Sequence, residues 1–290
     1  MKPIREMWAG MIDITYYCGR ECVYCTRCDR HLGKKRYHMS LEDVEKALIS
    51  YKDFPGWIGI IGGEPLFYPY LSEACELIRH YFPNPANKVA IWTSIDPQKS
   101  KYGNDIFRTF GHVHYHPHTK EQEQEFSHQP LTISIKDVIK NEKLRNALID
   151  DCWLQRKWCP TITNDGAFFC ETAASIAKLL GIKGWEVEPT WWKRNPSEFG
   201  YQKDLCQYCG MCIPMERQKM EEKQQKISPS FLKILRDNNL PTGNYELFDK
   251  QITIKEMVEC VPNWKPGVYK TELLYETFPF STIDFSKFED

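Results

Sequence analysis

Residues 11–25 read MIDITYYCGRECVYC. A strand signal over Met11–Tyr17 runs directly into three cysteines spaced C-x3-C-x2-C, at Cys18, Cys22 and Cys25. Thiols this close in sequence do not favour internal disulfides; they suit thiolates converging on a metal. In a [4Fe–4S] cube, three thiolates hold three irons and leave the fourth an open coordination position. A small chelator can occupy that position through an amine and a carboxylate. A loop that follows the first strand belongs at the carboxyl mouth of a parallel α/β fold, where such folds bind ligands. Structural zinc is the competing reading, since Cys28 would supply a fourth ligand.

The sequence around the loop has the pattern of a parallel α/β domain. Ser40 starts a helix through SLEDVEKALISYK, with Ser40 as N-cap, Asp43 three residues on, and Leu41, Val44, Ala47 and Leu48 on one face. A second strand over Trp57–Ile61 leads into Gly62-Gly63-Glu64-Pro65, and a helix over Tyr70–Tyr81 turns Leu71, Ala74, Cys75 and Ile78 inward. A third strand, Lys88–Trp92, ends at Thr93-Ser94. Weaker strands at Gly111–Tyr115 and Leu131–Ile135 precede a helix from about Asp137 to Asp150. Roughly five strand–helix units fall short of the eight of a closed barrel. The expected fold is therefore α/β: a partial, open TIM-like (β/α) barrel over residues 1–155, followed by a small cysteine-rich auxiliary-cluster domain over 156–226. An extension over 227–290 completes the chain, with Phe278, Phe280, Phe285 and Phe288 expected to pack it onto the body. Glu216–Lys226 reads as a charged, solvated helix.

The glycines at 62 and 63 permit close backbone approach, while Glu64 and exposed carbonyls can grip an ammonium group. The cysteine loop and this segment together resemble the radical S-adenosylmethionine (SAM) superfamily, whose pattern is C-x3-C-x-aromatic-C after the first strand and GGEP after the second. The resemblance covers about residues 8–150. It implies that Cys18, Cys22 and Cys25 hold a [4Fe–4S] cluster and that SAM chelates its open iron. Tyr24 would then lie along the adenine side, Gly62, Gly63, Glu64 and Pro65 would bind the methionine amine, and Thr93 and Ser94 would contact ribose or carboxylate. Reduction of such a cluster cleaves SAM to methionine and a 5′-deoxyadenosyl radical, which the protein aims at one hydrogen. Cys28 lies outside the family pattern and reads as a spare thiol, and the basic run Arg27–Arg36 reads as solvent-facing.

The chain has twelve cysteines in 290 residues. Beyond the first loop they gather at Cys152, Cys159, Cys170, Cys206, Cys209 and Cys212, with Cys75 and Cys260 alone. Cys159 and Cys170 bracket CPTITNDGAFFC, a hairpin turning at Asn164-Asp165-Gly166 that brings its end cysteines together. Cys206 and Cys209 add a C-x2-C pair. Four such thiolates make a closed site for a second [4Fe–4S] cluster or for zinc. Extra cysteines placed after the barrel look like the auxiliary-cluster extensions called SPASM and twitch. The SPASM continuation is missing, so the resemblance implies a one-cluster twitch domain with Cys159, Cys170, Cys206 and Cys209 as ligands, Cys212 being able to replace one of them.

Removing a hydrogen atom leaves a carbon radical on the substrate. If the auxiliary cluster takes the remaining electron and a base takes the hydroxyl proton, an alcohol becomes a ketone. If a thiol returns a hydrogen atom from the opposite face, the carbon is epimerised; Cys212 and Cys260 are the candidate donors, whereas Cys75 on an apolar helix face reads as packing. The resemblance to small twitch enzymes implies a sugar, an aminocyclitol or a related glycoside as substrate. Trp185, Trp191 and Trp192, with Glu186 and Glu188, either form an aromatic platform for such a ligand or fill the core. In HVHYHPH, alternation aims His112, His114, His116 and His118 to one side, as a proton acceptor for an alcohol or as a solvated rim.

Two other readings compete. A maturase that crosslinks a ribosomally made peptide is disfavoured because only seventeen residues precede Cys18. A non-catalytic iron–sulfur electron carrier is disfavoured by the Gly62–Pro65 segment. Formal charges nearly cancel, 38 Lys+Arg against 39 Asp+Glu, which gives no footing for nucleic acid. No apolar run approaches the roughly 18 residues of a membrane span, and the N-terminus lacks a cleavage signal. The expectation is a soluble, cytoplasmic enzyme in a reducing compartment, with a small-molecule substrate and, by resemblance, a flavodoxin or ferredoxin as electron donor.

Overall fold

The strand expected from Met11 is β1, Ala9–Thr15, and it is buried along its whole length. The computed structural model describes residues 1–84, 88–117, 127–157, 160–219, 223–263 and 281–289. A one-turn helix α1, Asp29–Leu32, follows the cysteine loop. Then come α2 (Leu41–Ser50), β2 (Trp57–Gly62), α3 (Leu71–Tyr81), β3 (Val89–Thr93), α4 (Gly103–Thr109) and β4 (His112–Tyr115). Ser40 caps α2 as its spacing predicts, its hydroxyl accepting from the Asp43 amide at 3.0 Å. Val44, Ala47 and Leu48 of α2, and Leu71, Ala74, Cys75 and Ile78 of α3, are the buried stripes that the periodicity assigned.

Further along lie β5 (Ser127–His128), α5 (Ile135–Val138), α6 (Glu142–Asp150), α7 (Trp153–Lys157), β6 (Thr161–Thr163), β7 (Gly166–Phe168) and α8 (Glu171–Leu180). The main sheet has six strands in the order β4-β3-β2-β1-β6-β7. Strands β1 to β4 pair in parallel, and β6 joins β1 in parallel with Met11 opposite Thr161. Only β7 runs antiparallel, closing the hairpin expected between Cys159 and Cys170. The result is a mixed α/β fold with a parallel-dominated sheet. One face of it, through Ile12, Ile14, Ile58, Ile60 and Ile91, packs on the helices. The other carries a small separate cluster of Ala9, Met11, Ala90 and Trp92.

Three expectations are corrected and one open alternative is decided. Leu131–Ile135 forms no strand: it is a turn that runs into the first residue of α5, with Leu131 and Ile133 fully buried, so an apolar run buried on all sides imitates a strand. The helix expected from Asp137 is two helices, because Asn141 restarts the chain by capping the Leu144 amide at 3.1 Å. Glu216–Lys226 is not a helix among the described residues. Gln218–Lys219 pairs with β5 and Gln225–Ile227 pairs with Tyr245–Leu247, as a charged run with no apolar stripe gains little from helical packing. Of the two readings open for Trp191 and Trp192, core filling is the one that holds. They are 1% and 6% exposed and meet Tyr51 and Phe54 edge-on at 5.5 and 5.6 Å, at the end of α2, and the Trp192 indole donates to the Ser50 carbonyl. In the tail Phe285 is buried and Phe288 packs on the same cluster, while Phe278 and Phe280 lie outside the described residues.

Candidate functional site

β1 delivers the loop Cys18–Cys25 to the carboxyl end of the sheet, and β2 delivers Gly62–Pro65 beside it. All three thiols are half-buried. Burial first, and then the charge of Cys25, pushes the Cys18 and Cys22 thiols up to about 12, and burial also raises Cys25. Gly62, at φ +145°, donates no side chain to a spot where a Cβ would stand 2.1 Å from the Thr15 carbonyl oxygen. A Cβ on Gly63 would stand 2.5 Å from the Tyr17 oxygen and 3.1 Å from Cys18 Cβ. The two glycines are what let this segment lie against the cysteine loop, and the Gly63 and Glu64 amides donate to the Thr15 and Tyr17 carbonyls at 2.7 and 2.8 Å.

Glu64 is 2% exposed and fully engaged. Its Oε1 accepts from the Leu66 amide and from Thr93 Oγ1 at 3.1 and 2.6 Å. Its Oε2 accepts from the Ser94 amide and hydroxyl at 2.8 and 2.7 Å. Four donors saturate the carboxylate, so Glu64, Thr93 and Ser94, separate candidates in the sequence, are one device that locks the end of β3 to the end of β2. Any ammonium group at this segment would meet backbone carbonyls rather than the Glu64 side chain. Tyr24 adopts φ +53°; its ring is buried and its hydroxyl accepts from the Lys226 amide at 3.0 Å.

The second set assembles around α8. Cys170 stands at the N-cap position of that helix, and Thr172 Oγ1 lies 3.2 Å from the Cys170 sulfur and 3.7 Å from the Cys209 sulfur, so one hydroxyl joins two of the expected ligands. The Met211 amide donates to the Cys209 sulfur at 3.5 Å. Cys206 is raised by burial and then by Cys170, Cys209 and Cys152. Cys159 lies outside the described residues. Cys152, left unassigned by the sequence, faces the set instead: burial, then Cys170, pushes its thiol up to about 12, and Cys209 and Cys212 both feel it. The neighbouring Trp153 indole donates to the Met211 carbonyl at 2.8 Å, which pins this corner to the Cys209–Cys212 turn. No hairpin or C-x2-C spacing advertises Cys152; its signal was membership of a cysteine-rich region alone. Among the described residues no three His, Cys, Asp or Glu side chains are gathered tightly enough to hold one ion.

Between the two sets sits a buried ion triad. Arg27 pairs with Asp13 of β1 at 3.2 Å and with Glu171, the residue after Cys170, at 2.7 Å. The expectation of a solvent-facing run from Arg27 fails here, since Arg27, Asp29 and His31 are all at most 5% exposed. Cys28 is likewise buried. Of the candidate hydrogen donors, Cys212 is 5% exposed within an apolar cluster that includes Ile213 and Phe248. Cys260 is half-buried and shares with Tyr24 the lining of a cavity of about 570 Å³. His112, His114 and His116 stand together along β4, whereas His118 lies outside the described residues. No described helix is long and apolar enough to cross a membrane.

Fold and site together define a parallel α/β protein with three cysteines at the carboxyl end of its first strand and more cysteines grouped around α8. No family model matches the chain, and no curated protein matches it. Among solved structures it is similar to the crystal structure of BtrN in complex with AdoMet and 2-DOIA, at 15% identity and TM-score 0.41 over 70% of this chain and 92% of that one. It is also similar to SeMet BtrN in an open conformation, at 11% identity and TM-score 0.43 over 74% of this chain and 97% of that one.

Proposed function

We propose that this chain is a radical SAM enzyme that oxidises a polyhydroxylated or amino-bearing small molecule. The observation that carries the reading is the pairing of Cys18, Cys22 and Cys25 with a Gly62–Pro65 segment that two glycines allow to touch their loop. Bound there, a [4Fe–4S] cluster with SAM supplies a 5′-deoxyadenosyl radical that removes one hydrogen atom from the substrate. The chain's own part is to hold the cluster through three sulfurs, to present backbone carbonyls at residues 62–65 to the methionine amine, and to keep both strand ends fixed through Glu64. Cys152, Cys170, Cys206 and Cys209 would hold a second cluster as a twitch-like unit, with Cys212 beside them, and a flavodoxin or ferredoxin would supply electrons.

Oxidation is favoured over epimerisation because Cys212 is enclosed by apolar side chains and not presented to a substrate. Epimerisation keeps one specific support, the cavity shared by Cys260 and Tyr24. Turnover in deuterated water separates the two: deuterium at the product carbon marks thiol return, and a carbonyl without it marks oxidation. The metal content tests the reading beneath both. Anaerobically prepared protein should carry roughly eight irons per chain, and the C18A/C22A/C25A variant roughly four. Zinc alone, or full iron in the triple variant, would overturn it.

A further inference from the structure

Strand β4 carries a row of imidazoles on the sheet's inner face. Its register sets His112 opposite Ala90 and His114 opposite Trp92, and both partners belong to the inner apolar cluster. Trp92 stacks on His114 with centroids 4.6 Å apart and planes 11° from parallel. The His114 ring lies 3.7 Å from that of His112 and 6.0 Å from that of His116. His116 stands just past the strand's end, where its amide donates to the Thr93 carbonyl at 2.9 Å, next to the Ser94 that holds Glu64. Pro117 follows, and its carbonyl accepts from Arg20 at 3.3 Å. Arg20 lies between Cys18 and Cys22, so the upper end of the row is tied to the cysteine loop.

His114 is 5% exposed, and its Nε2 has no hydrogen-bond partner among the described residues. A buried polar atom left without a partner is costly, so a ligand that pairs with it is favoured. Burial first, then His112 and His116, lower its pKa to about 3, so the ring is neutral at neutral pH and offers one donor and one acceptor.

We propose that His114 and His116 form the substrate-facing wall of the site: His114 Nε2 anchors a substrate hydroxyl or amino group, and His116 Nε2 accepts the hydroxyl proton as the adjacent carbon is oxidised. The inference rests on the oxidation reading above and assigns its base. The C–H hydrogen leaves as an atom to the 5′-deoxyadenosyl carbon, the O–H proton passes to His116, and the remaining electron goes to an iron–sulfur acceptor. An alcohol carbon thereby becomes a carbonyl.

Calorimetric titration of anaerobically prepared, SAM-loaded protein with myo-inositol and with its monoamino analogue tests the anchor. The wild type should bind at least one probe, H114N should bind it at least tenfold more weakly, and H116N should bind it within about twofold. Turnover of the bound probe tests the base: H116N should still make 5′-deoxyadenosine but lose carbonyl product by about a hundredfold or more, with KM little changed. Added imidazole should restore part of that loss, which a merely structural defect would not allow. Binding of neither probe by the wild type, H114N binding as wild type does, or H116N keeping its product yield would each overturn the proposal. A wild type that loses affinity on H114N substitution yet makes no 5′-deoxyadenosine would support the wall and sink the SAM reading instead.

Discussion

Arg27 is the residue whose role sequence reading misjudged most. It stands in a run of basic side chains, yet it is buried between Asp13 and Glu171, which come from β1 and from the start of α8. Nothing local marks it, because both partners are distant in sequence. Replacing it with methionine leaves two carboxylates buried without their cation, and R27M is expected to lose about 3–5 kcal/mol in denaturant unfolding. A loss below about 1 kcal/mol would mean that the triad is not closed in solution. Cys152 escaped for the same reason, as a cysteine outside any hairpin or C-x2-C pair acquires a role only when folding brings others to it. The opposite holds for Cys18, Cys22 and Cys25, whose close spacing within one loop is legible without any tertiary information.

Helices and strands were legible wherever one face alone is buried. Ser40 and the α2 stripe follow from periodicity and capping, and S40A should cost about 1 kcal/mol, read as a shift in the thermal midpoint. A null result there would show that the cap adds nothing beyond the Asp43 carboxylate that the Ser40 hydroxyl also touches. Reading failed where tertiary packing surrounds a segment, as at Leu131–Ile135, and where charge conceals pairing, as at Gln225–Ile227. The junction of β2 with the cysteine loop is the element on which the site depends. G63A places a methyl 2.5 Å from the Tyr17 oxygen. The loop must then move, so this variant should lose iron from the three-cysteine site while the helices remain folded by circular dichroism. Unchanged iron content would show that the contact is not needed to form the site.

Over the whole molecule, the buried histidines tie stability to pH. Burial is the largest cause in each case, lowering His31 to about 4, His128 to about 4 and His114 to about 3. Folded values below the unfolded value near 6.5 mean that the unfolded chain binds more protons, so stability is fully present above about pH 6.5 and is lost as pH falls towards about 4. His31, held by the Pro241 carbonyl at 2.8 Å and by Gln225, should contribute on the order of 3 kcal/mol to that loss. Urea unfolding of wild type and H31Q at about pH 7 and about pH 4.5 measures it. The variant should show the shallower pH dependence, and equal slopes would contradict the assignment.

The position of the cysteine loop and the grouping of later cysteines could be anticipated, because each follows from short-range spacing, whereas the sheet order, with the β6–β7 hairpin joined to β1, could not. The Glu64–Thr93–Ser94 lock and the histidine row needed the register of β2, β3 and β4, which no single segment encodes. What these parts do together is decided most directly by one assay, in which anaerobically reduced protein is incubated with SAM and the products are separated by chromatography. Wild type should release 5′-deoxyadenosine and methionine in equal amounts, and C22S should release neither. No nucleoside from the wild type, or an undiminished yield from C22S, would contradict the account.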